Sequence, residues 1–146
     1  MTLYLDTSAL VKLYIAEAHS GSVRDAVHRA ARVGTSRVAY PEARAALARR
    51  QREGGLTTPA LRGIVSDLDR DFPRMVVVEV GEHLAARAGE LAERRGLRGF
   101  DAIHLTSALE LRDLVQADLT FLAFDDRLSE AASAEGLRVP RTAHAP

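Results

Sequence analysis

Short apolar runs alternate with longer segments of helical periodicity along this chain, and that alternation constrains its fold more than any other feature. Strands are predicted at residues 2–5, 35–38, 75–80 and 120–124, and apolar residues between them recur at helical spacing. Strands separated by helices predict a mostly parallel sheet with helices covering both faces. The expected fold class is therefore α/β, as a three-layer α/β/α sandwich.

Boundary residues locate the first two helices within this pattern. Thr7 or Ser8 is expected to cap the first helix, and Ser22 is expected to start the second. Gly34 is the expected end of that second helix, because glycine commonly follows the last helical turn.

Three segments of the second half of the chain carry further expectations. The helix beginning at Asp101 is apolar on most sides, which predicts that it lies buried across the sheet. An edge strand is predicted at residues 137–139, and residues 144–146 are expected to be loose.

The length and composition limit the class of protein. The chain has 146 residues without a repeat or linker, so residues 1–146 are predicted to form a single domain. It contains no cysteine, no signal segment and no run of about 20 apolar residues, which favours a cytoplasmic protein outside the membrane. Because the formal net charge is zero, any contact with a nucleic acid must be local.

Four acidic residues stand where predicted strands end or helices begin. Asp6 and Asp125 each follow a strand, whereas Glu42 and Asp101 each lie in a first helical turn. In an open parallel sheet, the carboxyl ends of strands and the N-termini of helices face one crevice. We therefore expect these four carboxylates to gather at one edge of the sheet.

Such a group of carboxylates normally binds a cation, because its members otherwise repel one another. Oxygen-only ligation selects a hard ion, Mg²⁺ or Mn²⁺, which can lower the pKa of a bound water and clamp a phosphate. Each acid taken singly is also an ordinary helix-capping choice, so it is their joint placement that indicates a site. Periodicity alone predicts a hard-metal site and leaves the substrate open.

The segments around these acids resemble the motifs of the PIN-domain family in composition, order and spacing. The segments are Leu5-Asp6-Thr7-Ser8-Ala9-Leu10, Tyr40-Pro41-Glu42-Ala43-Arg44-Ala45-Ala46-Leu47, Phe100-Asp101-Ala102-Ile103-His104-Leu105 and Phe124-Asp125-Asp126-Arg127-Leu128. The resemblance covers nearly the whole chain and is closest to the VapC-type toxins of bacterial and archaeal toxin–antitoxin pairs.

This resemblance implies an α/β/α sandwich with the activity of a Mg²⁺-dependent endoribonuclease, Mn²⁺ acting as a substitute. Thr7 or Ser8 matches the family's small hydroxyl position, and its catalytic, metal-binding acids match Asp6, Glu42, Asp101 and Asp125. It further implies water attack on an RNA phosphodiester, leaving a 5′-phosphate and a 3′-hydroxyl. The implied partners are a small antitoxin and a second copy of the chain in a homodimer.

One departure from the family pattern concerns the fourth acid. Many relatives carry Thr or Ser two residues before it, whereas Ala123 stands at that place here. The fourth acid is therefore either Asp125 or its neighbour Asp126.

Other residues near the acids have both a functional and a structural interpretation. The arginines that flank the acids either bind RNA phosphates or form surface salt bridges. They are Arg37, Arg44, Arg98 and Arg127. His104 lies three residues after Asp101, where it is either a metal ligand or, more commonly, a hydrogen-bonded core histidine. An antitoxin helix is expected to bind a groove lined by Leu10, Leu13, Tyr14 and Ala45.

Three rival functions remain open from the sequence. One is a PIN-like nuclease of RNA or DNA processing without an antitoxin, and another is a binding module that has lost catalysis. Retention of all four acids speaks against the latter, because such a module has no need of repelling carboxylates. An aspartyl-phosphate phosphatase is disfavoured because Ser8 stands where such sites carry a second Asp.

Overall fold

A four-stranded parallel sheet forms the centre of the computed structural model, which describes residues 1–141. The strand order is β3-β2-β1-β4, and the strands are β1 (Thr2–Leu5), β2 (Arg32–Ser36), β3 (Val76–Val78) and β4 (Leu119–Leu122). All three pairings are parallel, so every strand ends at the same edge of the sheet.

Seven α-helices connect and flank these strands within the described residues. They are α1 (Thr7–Lys12), α2 (Ser20–Arg29), α3 (Ala39–Arg52), α4 (Thr58–Asp71), α5 (Glu82–Arg95), α6 (Gly99–Val115) and α7 (Asp126–Ala134). A short 3-10 helix, Phe72–Arg74, links α4 to β3. The fold is the expected α/β class.

Two hydrophobic cores lie on opposite faces of the sheet. Side chains alternate along β1, so Tyr4 packs with α5, α6 and α7, while Leu3 and Leu5 pack with α1 to α4. Both faces of the central strand are fully buried, as parallel sheets require. The three-layer sandwich predicted from the sequence is confirmed.

Helix α6 packs across the face of the sheet that carries Tyr4, and its close approach accounts for the glycine in β2. Its buried positions cover most sides of the helix, as the sequence predicted. Gly34 lies in β2 opposite α6, where an added Cβ would stand 2.3 Å from Cδ2 of Leu111. The expectation that Gly34 ends the second helix is wrong, because α2 already ends at Arg29 and the glycine instead permits close helix–sheet packing.

The first and last residues of several helices and strands differ from the predicted ones by a few positions. Strand β2 begins at Arg32 rather than at residue 35, and α2 begins at Ser20 rather than Ser22. The cap of α1 is Asp6, whose carboxylate accepts the backbone N–H of Ala9, and not Thr7 or Ser8. Turn and cap contacts, which hydrophobic periodicity does not encode, decide these boundaries.

The far edge of the sheet carries a rudimentary fifth strand. Arg138 forms one parallel bridge to Thr120 of β4, within the segment 137–139 predicted as an edge strand. The expectation for residues 144–146 falls outside the described residues. Within residues 1–141, no helix has the length and apolar character needed to cross a membrane.

Candidate functional site

The carboxyl edge of the sheet brings the segments after β1, β2 and β4 together. Asp6 directly follows β1, and its backbone N–H donates to the carbonyl of Leu122 at the end of β4 (3.1 Å). The Ser8 hydroxyl accepts the N–H of Phe124 (3.2 Å), which fixes the loop leading to Asp125. These bonds hold the chain segments of two predicted acids side by side.

Asp6 is the most buried of the four acids, with 6% of its surface exposed. One carboxylate oxygen accepts the N–H of Ala9 (2.9 Å) and the hydroxyl of Ser8 (2.7 Å). Burial raises the pKa of Asp6, and these two hydrogen bonds offset that effect only in part. The negative charge of Asp101 raises the same pKa further.

Glu42 stands in the first turn of α3 and is held by two donors from other elements. Its Oε1 accepts the hydroxyl of Thr7 (2.7 Å) and lies 2.8 Å from Nε2 of His104. Burial disfavours the ionised form of Glu42, but the bonds from His104 and Thr7 outweigh it and hold its pKa below the usual value. Glu42 is therefore ionised at neutral pH.

Asp101 and Asp125 face the same guanidinium group. Nε of Arg98 donates to Oδ2 of Asp101 at 3.2 Å, and its Nη2 lies 4.0 Å from Oδ2 of Asp125. A cleft of about 340 Å³ is lined by these three residues and Arg127. Asp125 also caps α7 by accepting the N–H of Leu128, whereas Asp126 occupies the first turn beyond it.

The four acids thus lie at one edge of the sheet but do not converge on a single point. Among the residues that the structure describes, no three acidic or histidine side chains are arranged to hold one metal ion. Each carboxylate instead accepts from a nearby donor: backbone N–H groups, hydroxyls, His104 or Arg98. Hydrogen bonds and a guanidinium compensate negative charge as a cation would.

The donor set at this edge fits a hard divalent cation. It consists of the carboxylates of Asp6, Glu42, Asp101 and Asp125. All of the donors are oxygen atoms, which Mg²⁺ and Mn²⁺ prefer over nitrogen or sulfur. The buried Asp6, whose burial favours the neutral form, is a group whose ionised form a bound cation would stabilise.

The four arginines singled out in the sequence divide into two pairs. Arg98, which is 80% exposed, and Arg127 line the cleft beside the acids. Arg37 pairs with Glu79, and Arg44 donates to the hydroxyl of Tyr40 (2.8 Å). Arg98 and Arg127 therefore lie beside the carboxylates, whereas Arg37 and Arg44 bind other side chains.

His104 is the residue whose role the sequence left undecided. It is 2% exposed and its two ring nitrogens contact Tyr4, Thr7 and Glu42, so it is a hydrogen-bonded core histidine rather than a metal ligand. Its spacing of three residues from Asp101 was the only sequence signal for a place near the site.

The groove expected between the first helices has a different lining. Leu10 is fully buried in the core, and Ala45 lies on the exposed side of α3. Leu13 and Tyr14 do line a groove of about 510 Å³, together with side chains of α2 and the β2–β3 edge, including Val27, Val33 and Met75. The prediction that Leu10 takes part is wrong, and Ala45 does not line this groove.

Comparison with known families and proteins gives consistent results. The model of the PIN domain family matches residues 3–134. Ribonuclease VapC45 of Mycobacterium tuberculosis is 37% identical over 137 residues, which cover 94% of this chain and 93% of that protein.

Solved structures share the fold at lower sequence identity. The crystal structure of Mycobacterium tuberculosis VapC20, a sarcin–ricin loop cleaving toxin, matches with a TM-score of 0.63 and 21% identity, over 92% of this chain and 95% of that one. VapBC2 from Rickettsia felis, bound to a DNA fragment from their promoter, matches with a TM-score of 0.62 and 14% identity, over 96% and 98%.

Proposed function

This chain belongs to the PIN-domain family, and we propose that it is a metal-dependent endoribonuclease, the toxin of a toxin–antitoxin pair. The observation that carries the proposal is the placement of Asp6, Glu42, Asp101 and Asp125 at one edge of the sheet. These acids come from separate segments, so capping of individual helices does not by itself account for their shared position at this edge. The similarity to a ribonuclease over nearly the full length supports RNA as the substrate.

Each group of residues has a distinct task in this proposal. The four carboxylates would supply the oxygen ligands of a bound Mg²⁺, or of Mn²⁺ in its place. When bound, such a cation supplies an activated water and neutralises charge during in-line attack on a phosphodiester. Thr7 and Ser8 orient Glu42 and Asp6 through their hydroxyls, and Arg98 and Arg127 bind RNA phosphates. The expected products carry a 5′-phosphate and a 3′-hydroxyl.

We assign Asp125, not Asp126, as the fourth acid. Asp125 faces Arg98 and shares the cleft with Asp101. Although Ala123 departs from the family pattern, a hydroxyl from another segment, that of Ser8, binds the loop at Phe124. The position of Asp125 is therefore supported by contacts that do not depend on residue 123.

Cleavage of total cellular RNA is expected with Mg²⁺ or Mn²⁺ and is expected to stop when a chelator is added. Ca²⁺ should inhibit and Zn²⁺ should substitute poorly, because the larger, looser shell of Ca²⁺ is a poor template for in-line attack. The measurement is gel analysis of RNA incubated with purified protein and each ion in turn. Cleavage that survives exhaustive chelation would indicate a metal-free acid–base mechanism and would rule out the metal assignment.

The proposed protein partners are a small antitoxin and, in a homodimer, a second copy of the chain. An arginine from an antitoxin could satisfy the acids in place of a cation, since a bidentate guanidinium pairs well with carboxylates. The structure contains a precedent in Arg98, which already faces Asp101 and Asp125. Light scattering of the purified chain, alone and with the antitoxin, measures both assemblies.

Expression in a heterologous bacterial host is expected to arrest growth, and co-expression of the small reading frame adjacent to the gene should restore it. The inactive Asp101→Asn chain is the matched control, because it should be harmless at the same expression level. Harmless expression of an active nuclease that binds no product of a neighbouring gene would favour a processing enzyme instead. A chain that binds RNA but never cleaves it would favour the binding module.

A further inference from the structure

His104 lies in the core, one helical turn beyond Asp101 in α6. Its side chain lies between Tyr4 of β1 and Glu42 of α3. Its Nδ1 lies 2.9 Å from the hydroxyl of Tyr4 in β1. Its Nε2 lies 2.8 Å from Oε1 of Glu42 and 3.0 Å from Oγ1 of Thr7. Both ring nitrogens of a 2%-exposed imidazole are thus within hydrogen-bonding distance of side chains.

The chemistry of these neighbours determines which atoms donate. An ionised carboxylate only accepts, so Nε2 must carry a proton towards Glu42. The hydroxyl of Thr7 donates to the same Oε1 atom, so it does not donate to Nε2. The Tyr4 phenol keeps its proton, since burial raises its pKa well above the usual value, and it can donate to a bare Nδ1.

The two donors to Glu42 reach the same oxygen atom. Nε2 of His104 in α6 and Oγ1 of Thr7 in α1 both contact Oε1, at 2.8 Å and 2.7 Å. An oxygen that accepts two hydrogen bonds has its lone pairs engaged. Oε2 takes part in neither of these bonds and is the oxygen left to bind another group.

We propose that His104 is a positioning residue: Nε2–H of His104 and the Thr7 hydroxyl together hold Oε1 of Glu42, so that Oε2 is the oxygen presented to the cation. This inference rests on the proposed function in assigning Glu42 to the metal. It differs from a ligand role, because both nitrogens of His104 are engaged inside the protein. Partners of this kind set the orientation of metal-binding groups.

The tautomer can be measured directly in the metal-free wild-type protein. Long-range ¹H–¹⁵N NMR spectra distinguish a neutral imidazole protonated at Nε2 from one protonated at Nδ1 and from the imidazolium. The signals of His104 are identified among the five histidines by their loss in the His104→Gln variant. We expect a proton on Nε2, and a ring protonated only at Nδ1 would overturn the proposal because it offers Glu42 no donor.

The positioning role is tested by a matched pair of variants. The amide nitrogen of His104→Gln extends to the place of Nε2 and keeps a donor for Glu42, whereas the shorter His104→Asn cannot reach it. Mn²⁺ binding, measured by calorimetry, is expected to weaken about 10- to 100-fold in His104→Asn and less than about threefold in His104→Gln. Circular dichroism identifies any variant that has not folded, and the Gln variant and the wild-type tautomer then decide the question.

Failure of this inference and failure of the proposed function give different results. If wild type binds Mn²⁺ and cleaves RNA while folded His104→Asn binds Mn²⁺ equally well, the positioning role is wrong and the nuclease stands. If wild type neither binds Mn²⁺ nor cleaves RNA, the metal assignment falls and the role of His104 in presenting Oε2 falls with it. Equal weakening in the Gln and Asn variants would also overturn the proposal, since only one of them lacks the donor.

Discussion

Replacing Asp101 with Asn is expected to reduce RNA cleavage by at least about a thousandfold, because metal-based stabilisation of developing charge amounts to several kcal/mol and each 1.4 kcal/mol is about tenfold in rate. The variant should still fold, since Asp101 is partly exposed and its side chain forms an ion pair with Arg98 at the protein surface. Such pairs contribute about 0–1 kcal/mol, so the thermal midpoint should move by no more than a few degrees.

Controls for this substitution come from the same chain. Asp113→Asn removes an exposed acid from the same helix, α6, and should leave cleavage unchanged. In the same assay, Asp125→Asn is expected to lose activity and Asp126→Asn to retain most of it. Near wild-type cleavage by Asp101→Asn, or activity lost only through unfolding, would contradict the assignment of Asp101.

Asp6→Asn is expected to abolish cleavage to a similar extent and, in contrast, to stabilise the metal-free protein. Burial raises the pKa of Asp6, so the folded protein holds an ionised carboxylate there at a cost. Asn keeps the acceptor for the Ala9 N–H and the Ser8 hydroxyl, and it caps helices about as well as Asp. A gain of about 1 kcal/mol would raise the thermal midpoint by a few degrees.

The pH dependence gives this prediction a definite sign. A carboxyl whose folded pKa lies above its ordinary value of 3.8 binds more protons in the folded state than in the unfolded state between the two values. The contribution of Asp6 to the stability of wild type therefore falls as pH rises through that interval, and this loss is complete above the raised pKa. The advantage of Asp6→Asn should be largest there and should vanish as pH falls below 3.8, where the carboxyl is protonated in both states.

Thermal or urea unfolding of wild type and Asp6→Asn in chelator, across a pH series, measures this effect. Ser8→Ala is a useful comparison, because it removes one hydrogen bond to Asp6 and should raise the Asp6 pKa further without removing the charge. A variant less stable than wild type at neutral pH would mean that the charge of Asp6 strengthens its hydrogen bonds by more than burial of that charge costs.

Local sequence patterns were sufficient for the architecture. The apolar run at residues 2–5 predicted a strand, and the alternation of strands with helices predicted a mostly parallel sheet. Hydrophobic burial acts on these patterns directly, because a period of two or of 3.6 residues decides which side chains share a face. For the same reason, the placement of Asp6 and Glu42 at one edge followed from their positions in the chain.

The contacts that orient those acids were not readable in the sequence. Tyr4 and His104 are 100 residues apart, and Glu42 and His104 are 62 apart. Gly34 looked like a helix end because local pattern does not show that Leu111 packs against it. Hydrogen bonds and close packing require segments distant in the sequence to be positioned within a few tenths of an ångström.

The sequence by itself determined the fold class, the edge of the sheet at which the acids lie and the all-oxygen nature of their donor atoms. Only the tertiary structure decided that Asp6 is buried and caps α1, that Arg98 faces two of the acids, and that Thr7 and His104 contact Glu42. The physical reason is that periodicity fixes which face a residue occupies, whereas the packing of helices on the sheet fixes which polar atoms come within hydrogen-bonding distance.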